Sequence, residues 1–319
     1  MRIFVTGSAG FIGFHSSKEL LRRGHSVFGF DNVNNYYDPR FKLARLEELG
    51  KNSKFAFTKG NLADKAALKS AWDAAKPDMV LHLGAQAGVR YSIENPDAYV
   101  ESNLIGFQNV IELARHAKVD NFVYASSSSV YGGNKTLPFS ETQTVNNPIS
   151  FYAATKLANE LTAKAYWNLF QLPSAGLRFF TVYGPFGRPD MAMFKFAELM
   201  RAGKPIEIYN EGKMWRDFTY VDDIVSGVMA ALEKPEPAEV YNLGRGEKVE
   251  LLSMVELLET YLEIKSDRRL MPMQMGDVEA TLSDVSKAQK NLGYAPKVSL
   301  AEGMRSFCDW YKAFTSARS

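Results

Sequence analysis

The chain has 319 residues, 46% of them hydrophobic and 23% charged, with a formal net charge of +2. That length and apolar content suit one large α/β domain or two smaller ones, and the near-neutral charge points away from bulk electrostatic binding to nucleic acid or a membrane surface. A single cysteine, Cys308, excludes an intrachain disulfide and suits a reducing, cytoplasmic setting.

No apolar run reaches the ~18–20 residues of a transmembrane helix. The apolar strand at the amino terminus leaves no room for a signal peptide. That strand, over residues 2–6, ends in Gly7-Ser8-Ala9-Gly10-Phe11-Ile12-Gly13. A helix follows to about residue 23, with Gly24 as its C-terminal cap. A second strand over 26–30 ends in Asp31. Strand, glycine turn, helix, strand and acid is the order of a dinucleotide site. Glycines let backbone amides approach a pyrophosphate at the positive end of the helix. An acid at the position of Asp31 accepts hydrogen bonds from the adenosine ribose and would repel a 2′-phosphate, so NAD is expected over NADP.

The alternation continues. Asp64 caps a helix to residue 75, and 79–83 is a strand ending in Gly84-Ala85-Gln86. Asn95-Pro96 opens a long helix to about 117, a strand runs from Phe122 into four serines, 152–170 is a helix and 175–183 a strand. Strands alternating with helices to residue 183 predict a Rossmann-type doubly wound parallel sheet, with ligands at the carboxyl ends of its strands. His82 falls on a buried strand and reads as a core histidine. The four histidines are scattered, so no metal site is expected. Beyond 183 the pattern breaks at Pro185, Gly187 and Pro189, and helices mix with short strands at 206–209, 215–221 and 240–243. We divide the chain into a nucleotide domain over 1–183, to which some later segments return, and a smaller interleaved lobe over 184–319.

Tyr152 and Lys156 stand four residues apart and share a helical face. A phenol with a pKa of about 10 is too weakly acidic to serve as a neutral-pH base, and a nearby ammonium is expected to pull it towards the working range. A serine from the preceding strand end would bridge phenol and substrate oxygen, a device for moving a proton on or off a sugar hydroxyl. The spacing alone also fits a helix with one buried ring and one solvated lysine. The serine strand and the nucleotide turn favour chemistry. Arg216, on the alternating segment at 215–221, is a phosphate clamp or a surface arginine on spacing alone.

Together these features resemble the extended short-chain dehydrogenase/reductase superfamily, over essentially the whole chain. Within it, the strings DNVNNYYD at Asp31, AQAGVRYS at Ala85, ASSSSVYGGN at Ala125, LRFFTVYGPFGRPDMA at Leu177, RDFTYVDDI at Arg216 and QMGDVEATLSD at Gln274 resemble the NAD-dependent nucleotide-sugar epimerases, most closely the UDP-glucuronate 4-epimerases. The resemblance implies a tightly held NAD contacted by Gly7, Gly10, Phe11, Ile12, Gly13, Asp31, Asn32, Asn61, Leu62, Leu83, Gln86, Asn103, Ser126, Tyr152 and Lys156. It implies a reaction centre of Ser127, Tyr152 and Lys156. For a UDP-sugar it implies contacts from Gln86 and Arg90, with Ser127, Ser128, Thr181 and Arg188 around the sugar, Glu207 and Tyr209 near uracil, and Arg216 with Asp277 near the diphosphate and ribose. It also implies a homodimer paired through the helices at 96–117 and 152–170, whose periodicity fits a monomer equally well.

Three positions depart from the family pattern: Asn61 replaces an aspartate near adenine, Gly84 an alanine beside the nicotinamide, and Met275 the proline before Gly276-Asp277. Sister activities fit less well. Nucleotide-sugar dehydratases carry an Asp-Glu pair where this chain has Ser128 and Ser129, and UDP-glucuronate decarboxylases a glutamate in place of Ser129. UDP-glucose/galactose epimerases carry asparagine in place of Thr181. A non-catalytic NAD(H)-binding regulator on the same fold would have no use for Ser127, Tyr152 and Lys156 together.

Overall fold

The computed structural model describes residues 1–274 and 277–316; Met275 lies outside the described residues. The first six strands are β1 (Arg2–Thr6), β2 (Ser26–Asp31), β3 (Phe55–Lys59), β4 (Met79–His82), β5 (Asn121–Ser127) and β6 (Ser174–Phe179). With the strand Glu239–Leu243 they form one seven-stranded sheet, in the order Glu239–Leu243, β6, β5, β4, β1, β2, β3. Every pairing in it is parallel. Side-chain alternation sorts the apolar residues to two faces. Ile3, Val5, Leu81 and Val123 enter one core, Phe4, Val80, Phe122 and Tyr124 the other.

Helix α1 (Phe11–Arg22) starts directly after the glycine turn. Asp64 caps α3 (Lys65–Ala75) by accepting from the amides of Ala66 and Ala67. Between them the structure adds two elements that the sequence pattern leaves unread, helix α2 (Pro39–Gly50), capped by Asp38, and β3. Strand β3 is at the sheet edge and mostly exposed, so its short apolar run, Phe55-Ala56-Phe57, gives only a weak signal.

Three expected elements are subdivided. The helix expected from 96 to 117 is α-helical over Pro96–Tyr99, π-helical over Val100–Ile105 and α-helical again over Gly106–Ala117. The single strand expected over 175–183 breaks after Phe179. Beyond that point β5 has turned into the 3-10 segment Ser128–Tyr131 and offers no partner. The Phe180 amide donates to the Leu243 carbonyl (3.1 Å), the Thr181 amide to that of Asp217 (3.1 Å), and Thr181–Tyr183 pairs with Phe218–Tyr220 instead. The segment 215–221 likewise becomes Trp215–Arg216, Phe218–Tyr220 and then a helix, Val221–Glu233. Later residues re-enter the first domain: Glu239–Leu243 closes the main sheet beside β6, and Val221–Glu233 packs on α1.

Asp217, at the break between those short strands, is fully buried. Its carboxylate accepts from the amides of Arg245 (2.7 Å), Gly246 (3.0 Å) and Ser283 (3.0 Å) and from the hydroxyls of Thr219 (3.2 Å) and Ser283. One carboxylate therefore ties two distant segments, at 245–246 and at 283, to the strand that carries Arg216. Truncation would strand those donors, each at a cost of about 1–3 kcal/mol. Asp217→Ala is expected to destabilise the protein by on the order of 5 kcal/mol or more, read as a shifted urea midpoint; a change within error would contradict this account.

Candidate active site

The carboxyl ends of β1, β2, β4 and β5 open into one cleft of about 880 Å³, whose lining also takes residues from 188 to 281. It runs between β1 and β4, where the order of the sheet reverses, the expected ligand crevice of an open parallel sheet. At one end, Gly7 takes a left-handed conformation (φ +69°), and a Cβ on Gly13 would lie 2.0 Å from the Gly7 carbonyl oxygen. Only a glycine lets the first turn of α1 sit that close to the strand end. Helix α1 begins at Gly10 with no side chain capping its amides, leaving a positive helix end for an anion. Asp31 accepts from the amides of Val33 (2.8 Å) and Ala9 (3.2 Å). Burial pushes its pKa up, against the charge of Lys42 and those two bonds.

Tyr152 and Lys156 project from the helix Phe151–Phe170, which Ser150 caps through the Ala153 amide. The Ser127 hydroxyl ends β5 and accepts from the Ser129 amide (3.1 Å). The structure differs from the simple expectation of an ammonium depressing a phenol. Lys156 is buried, and its Nζ donates to the Ala125 carbonyl (2.8 Å). Burial lowers its pKa to about 8, with the Glu160 charge opposing. Burial also raises the Tyr152 pKa, opposed by hydrogen bonding with Ser127 and by the positive charge of Arg188. Desolvation penalises either charged form in this apolar site.

At the other end of the cleft, the Arg90 guanidinium meets Asp277 (2.8 Å) and lies 5.2 Å from the Tyr209 ring centroid, and the Tyr209 hydroxyl donates to Glu207 (2.6 Å). Arg216 also lines the cleft, its Nη1 donating to the carbonyls of Trp215 (2.8 Å) and Glu279 (3.2 Å). Arg188 pairs with Asp190, which also accepts from the Tyr36 hydroxyl (3.2 Å). Among the described residues no group of side chains is placed to hold a metal ion, and no helix is long and apolar enough to cross a membrane.

A model of the NAD dependent epimerase/dehydratase family matches residues 3–244. The chain belongs to that family. It is 42% identical to a probable UDP-glucuronate 4-epimerase of Rhizobium meliloti, over 98% of this chain and 97% of that one. The crystal structure of the UDP-glucuronic acid 4-epimerase of Bacillus cereus, in complex with UDP-glucuronic acid and NAD, superposes with a TM-score of 0.91 at 35% identity, covering 98% of this chain and all of that one. The UDP-glucose 4-epimerase of Thermotoga maritima, with UDP-glucose, gives the same TM-score at 31% identity, over 99% and 100% of the two chains.

The family's NAD fits the residues present: the glycine cradle that a Cβ would fill, the uncapped helix end and the Asp31 acceptor stand along one wall. Of the residues singled out in the sequence, all but Asn103 line the cleft. Asn103 is buried behind it, where its Oδ1 accepts from the Gln86 amide (2.8 Å) and its Nδ2 donates to the Gln86 carbonyl (3.0 Å). It holds Gln86 from the π-helical turn. Ser126 lines the wall, but its hydroxyl points away to Glu160 (2.5 Å). Asn61 donates to Glu101 (2.8 Å), a bond that an aspartate would turn into repulsion. A Cβ at Gly84 would come 2.9 Å from Leu62 and 3.1 Å from the Gly7 amide nitrogen, so the glycine here admits a close approach as well as giving up packing. His82 is a core residue, sharing a 2.9 Å hydrogen bond with Thr6.

Sequence reasoning missed Tyr36, Lys42 and Asp190 in the lining. Tyr36 and Asp190 stand inside strings that carry the family resemblance, which could have marked them. Arg45 was missed too: fully buried, it donates to the carbonyls of Ala9 (2.9 Å), Phe186 (2.7 Å) and Gly187 (3.1 Å). It straps the glycine turn to the loop before Arg188, a tertiary role with no sequence signal.

Because a Cβ at position 13 overlaps the Gly7 carbonyl, Gly13→Ala is expected to cut the NAD retained through purification by at least about tenfold, some 1.4 kcal/mol. Chromatography of nucleotide released from the folded variant would measure it, and undiminished NAD would refute the cradle.

Proposed function

We propose that this protein interconverts UDP-glucuronate and UDP-galacturonate, acting as a UDP-glucuronate 4-epimerase on tightly held NAD. The observation that carries the reading is the convergence of Ser127, Tyr152 and Lys156 on a cleft whose wall also presents Ser128, Thr181 and Arg188.

Tyr152 takes the proton from the sugar O4 and later returns it. Bound NAD supplies the reversible hydride exchange at C4 and, when oxidised, a positive charge that favours the phenolate. Ser127 hydrogen-bonds Tyr152 and orients the O4 hydroxyl, while Lys156 keeps an ammonium beside the centre. The protein's part is positioning and a matched pKa. With Lys156 near 8, its charge is present at neutral pH and is lost as pH rises through that value. Activity is therefore expected to fall on the alkaline side.

Oxidised at C4, a hexuronate is a β-keto acid and loses carbon dioxide when its carboxylate bond stands perpendicular to the ring. Hydroxyls from Ser127, Ser128 and Thr181 hold the carboxylate out of that alignment. Gln86 and Arg188 complete the sugar pocket, Glu207 and Tyr209 take the uracil with Arg90 beside them, and Arg216 with Asp277 takes the diphosphate and ribose. The serines at 128 and 129 and the threonine at 181 support this reading over elimination, decarboxylation and the neutral-sugar reaction. We further propose a homodimer joined through the helices at 96–117 and 152–170, which leave Val100, Ile105, Leu161, Leu169 and Phe170 exposed. A monomer mass by light scattering would sink that assembly.

Proton NMR of the purified protein with UDP-glucuronate and no added cofactor is expected to show UDP-galacturonate, with Tyr152→Phe about 10²–10⁴-fold slower. UDP-pentose as the main product would make the protein a decarboxylase. In the same assay Thr181→Ala is expected to release UDP-pentose and carbon dioxide; if neither rises, Thr181 does not hold the carboxylate.

A further inference from the structure

Lys156 is not the end of the reactive face. One turn further along the same helix stands Glu160, also buried. Its Oε1 accepts from the Ser126 hydroxyl (2.5 Å) and from Arg178 Nε (2.9 Å), and its Oε2 accepts from Arg178 Nη2 (2.7 Å). Arg178 lies on β6 directly beside Ser126 in the strand register. Its remaining amine donates to the Tyr131 hydroxyl (3.0 Å), which donates to Asn242 (2.7 Å) on the next strand of the sheet. The helix is thus pinned to the end of β5 at two consecutive residues, Ala125 through Lys156 and Ser126 through Glu160. The next residue is Ser127.

We propose that Glu160 is a positioning residue of the reaction centre, its buried carboxylate setting Ser127 and the Lys156 ammonium relative to Tyr152. The inference rests on the reading of Ser127, Tyr152 and Lys156 given above. A bidentate guanidinium–carboxylate pair has fixed planar geometry, so it locates the end of β5 against the helix more tightly than apolar packing would.

The same carboxylate acts on Lys156 by charge. The ionisable groups around the centre are Tyr152 and Glu160 on the helix, His82 on β4, Tyr124 on β5, Arg178 on β6, Tyr131 in the turn after β5, Tyr99 packed beside the Tyr152 ring, and Arg188 in the cleft lining. Glu160 is the carboxylate in that set. His82 brings no competing cation, since burial and then the Lys156 charge push its pKa down to about 3. Burial drives Lys156 towards the neutral amine, and Glu160 opposes it. Without Glu160, Lys156 loses its proton at lower pH.

The test uses the protein with its retained NAD. Lysines carry a ¹³Cε label, and the Lys156 signal is identified by its absence from Lys156→Met. Glu160→Gln keeps the size and an acceptor for Ser126 but removes the charge. Its Lys156 titration midpoint is expected to fall by about one pH unit, a tenfold change in ionisation constant. The alkaline limb of kcat should move down with it while KM for the UDP-sugar holds. Glu160→Asp, which keeps the charge but draws it back by one methylene, is expected to keep the midpoint and lose kcat at every pH. An unchanged midpoint and limb in Glu160→Gln would overturn the proposal.

Should the lone substitution leave Arg178 too costly to bury, Glu160→Gln with Arg178→Gln removes both charges of the pair. Since Arg178 leaves with Glu160, the expected midpoint shift is smaller but in the same direction, and its absence overturns the proposal equally. Full activity in Tyr152→Phe would instead refute the parent reading, and the Lys156 titration would still report what Glu160 does.

Discussion

The site depends on parallel pairing. Because β1, β2, β4, β5 and β6 all run the same way, their carboxyl ends collect on one edge of the sheet. The chain must leave that edge by a turn each time. Those turns carry Gly7, Asp31, Gln86 and Ser127, which come from widely separated stretches of sequence and meet along one cleft. An antiparallel sheet would have scattered them over two edges.

At four groups in or behind the cleft, burial is the largest influence on the pKa. It raises the phenol of Tyr152 and the carboxyl of Asp31 and lowers Lys156 and His82. The charges that do leave water come with partners: Arg178 with Glu160 and, less deeply, Arg188 with Asp190. Such pairs add little net stability, since desolvation offsets most of their attraction. What they contribute is location, and proton transfer between a phenol and a sugar hydroxyl depends on location to a fraction of an ångström.

The segments after residue 183 are tied in by the same means. Asp217 anchors the strand behind Arg216, and its carbonyl receives the amide of Thr181. The backbone under Thr181 is therefore set by the strand that bears Arg216, a second residue of the cleft lining. The break of β6 at Phe180 follows from β5 ending in a turn at Ser127, and it is what frees Thr181 to face the cleft rather than continue the sheet.

Much of this was legible in the sequence, for local reasons. The glycine turn, the acid at 31, the cap at Asp64 and the Tyr152–Lys156 spacing each express a short-range rule, a close approach, a hydrogen bond or a helical repeat, and each stands where it was expected. Non-local pairing was not legible. Strand β3 gives only a weak signal, the three apolar residues Phe55-Ala56-Phe57 at a sheet edge where none is fully buried. The split at Phe180 depends on where a neighbouring strand stops, Asn103 acts from behind Gln86 across a π-helical turn, and Arg45 and Asp217 bind segments more than a hundred or some sixty residues away. Periodicity and spacing determined the alternation of strands and helices, the glycine turn and the shared helical face of Tyr152 and Lys156, because those rules operate within a few residues of chain. Which charges are paired, which hydroxyl turns inward and how far a buried ammonium holds its proton were decided only on folding, because burial is a property of the whole packed molecule.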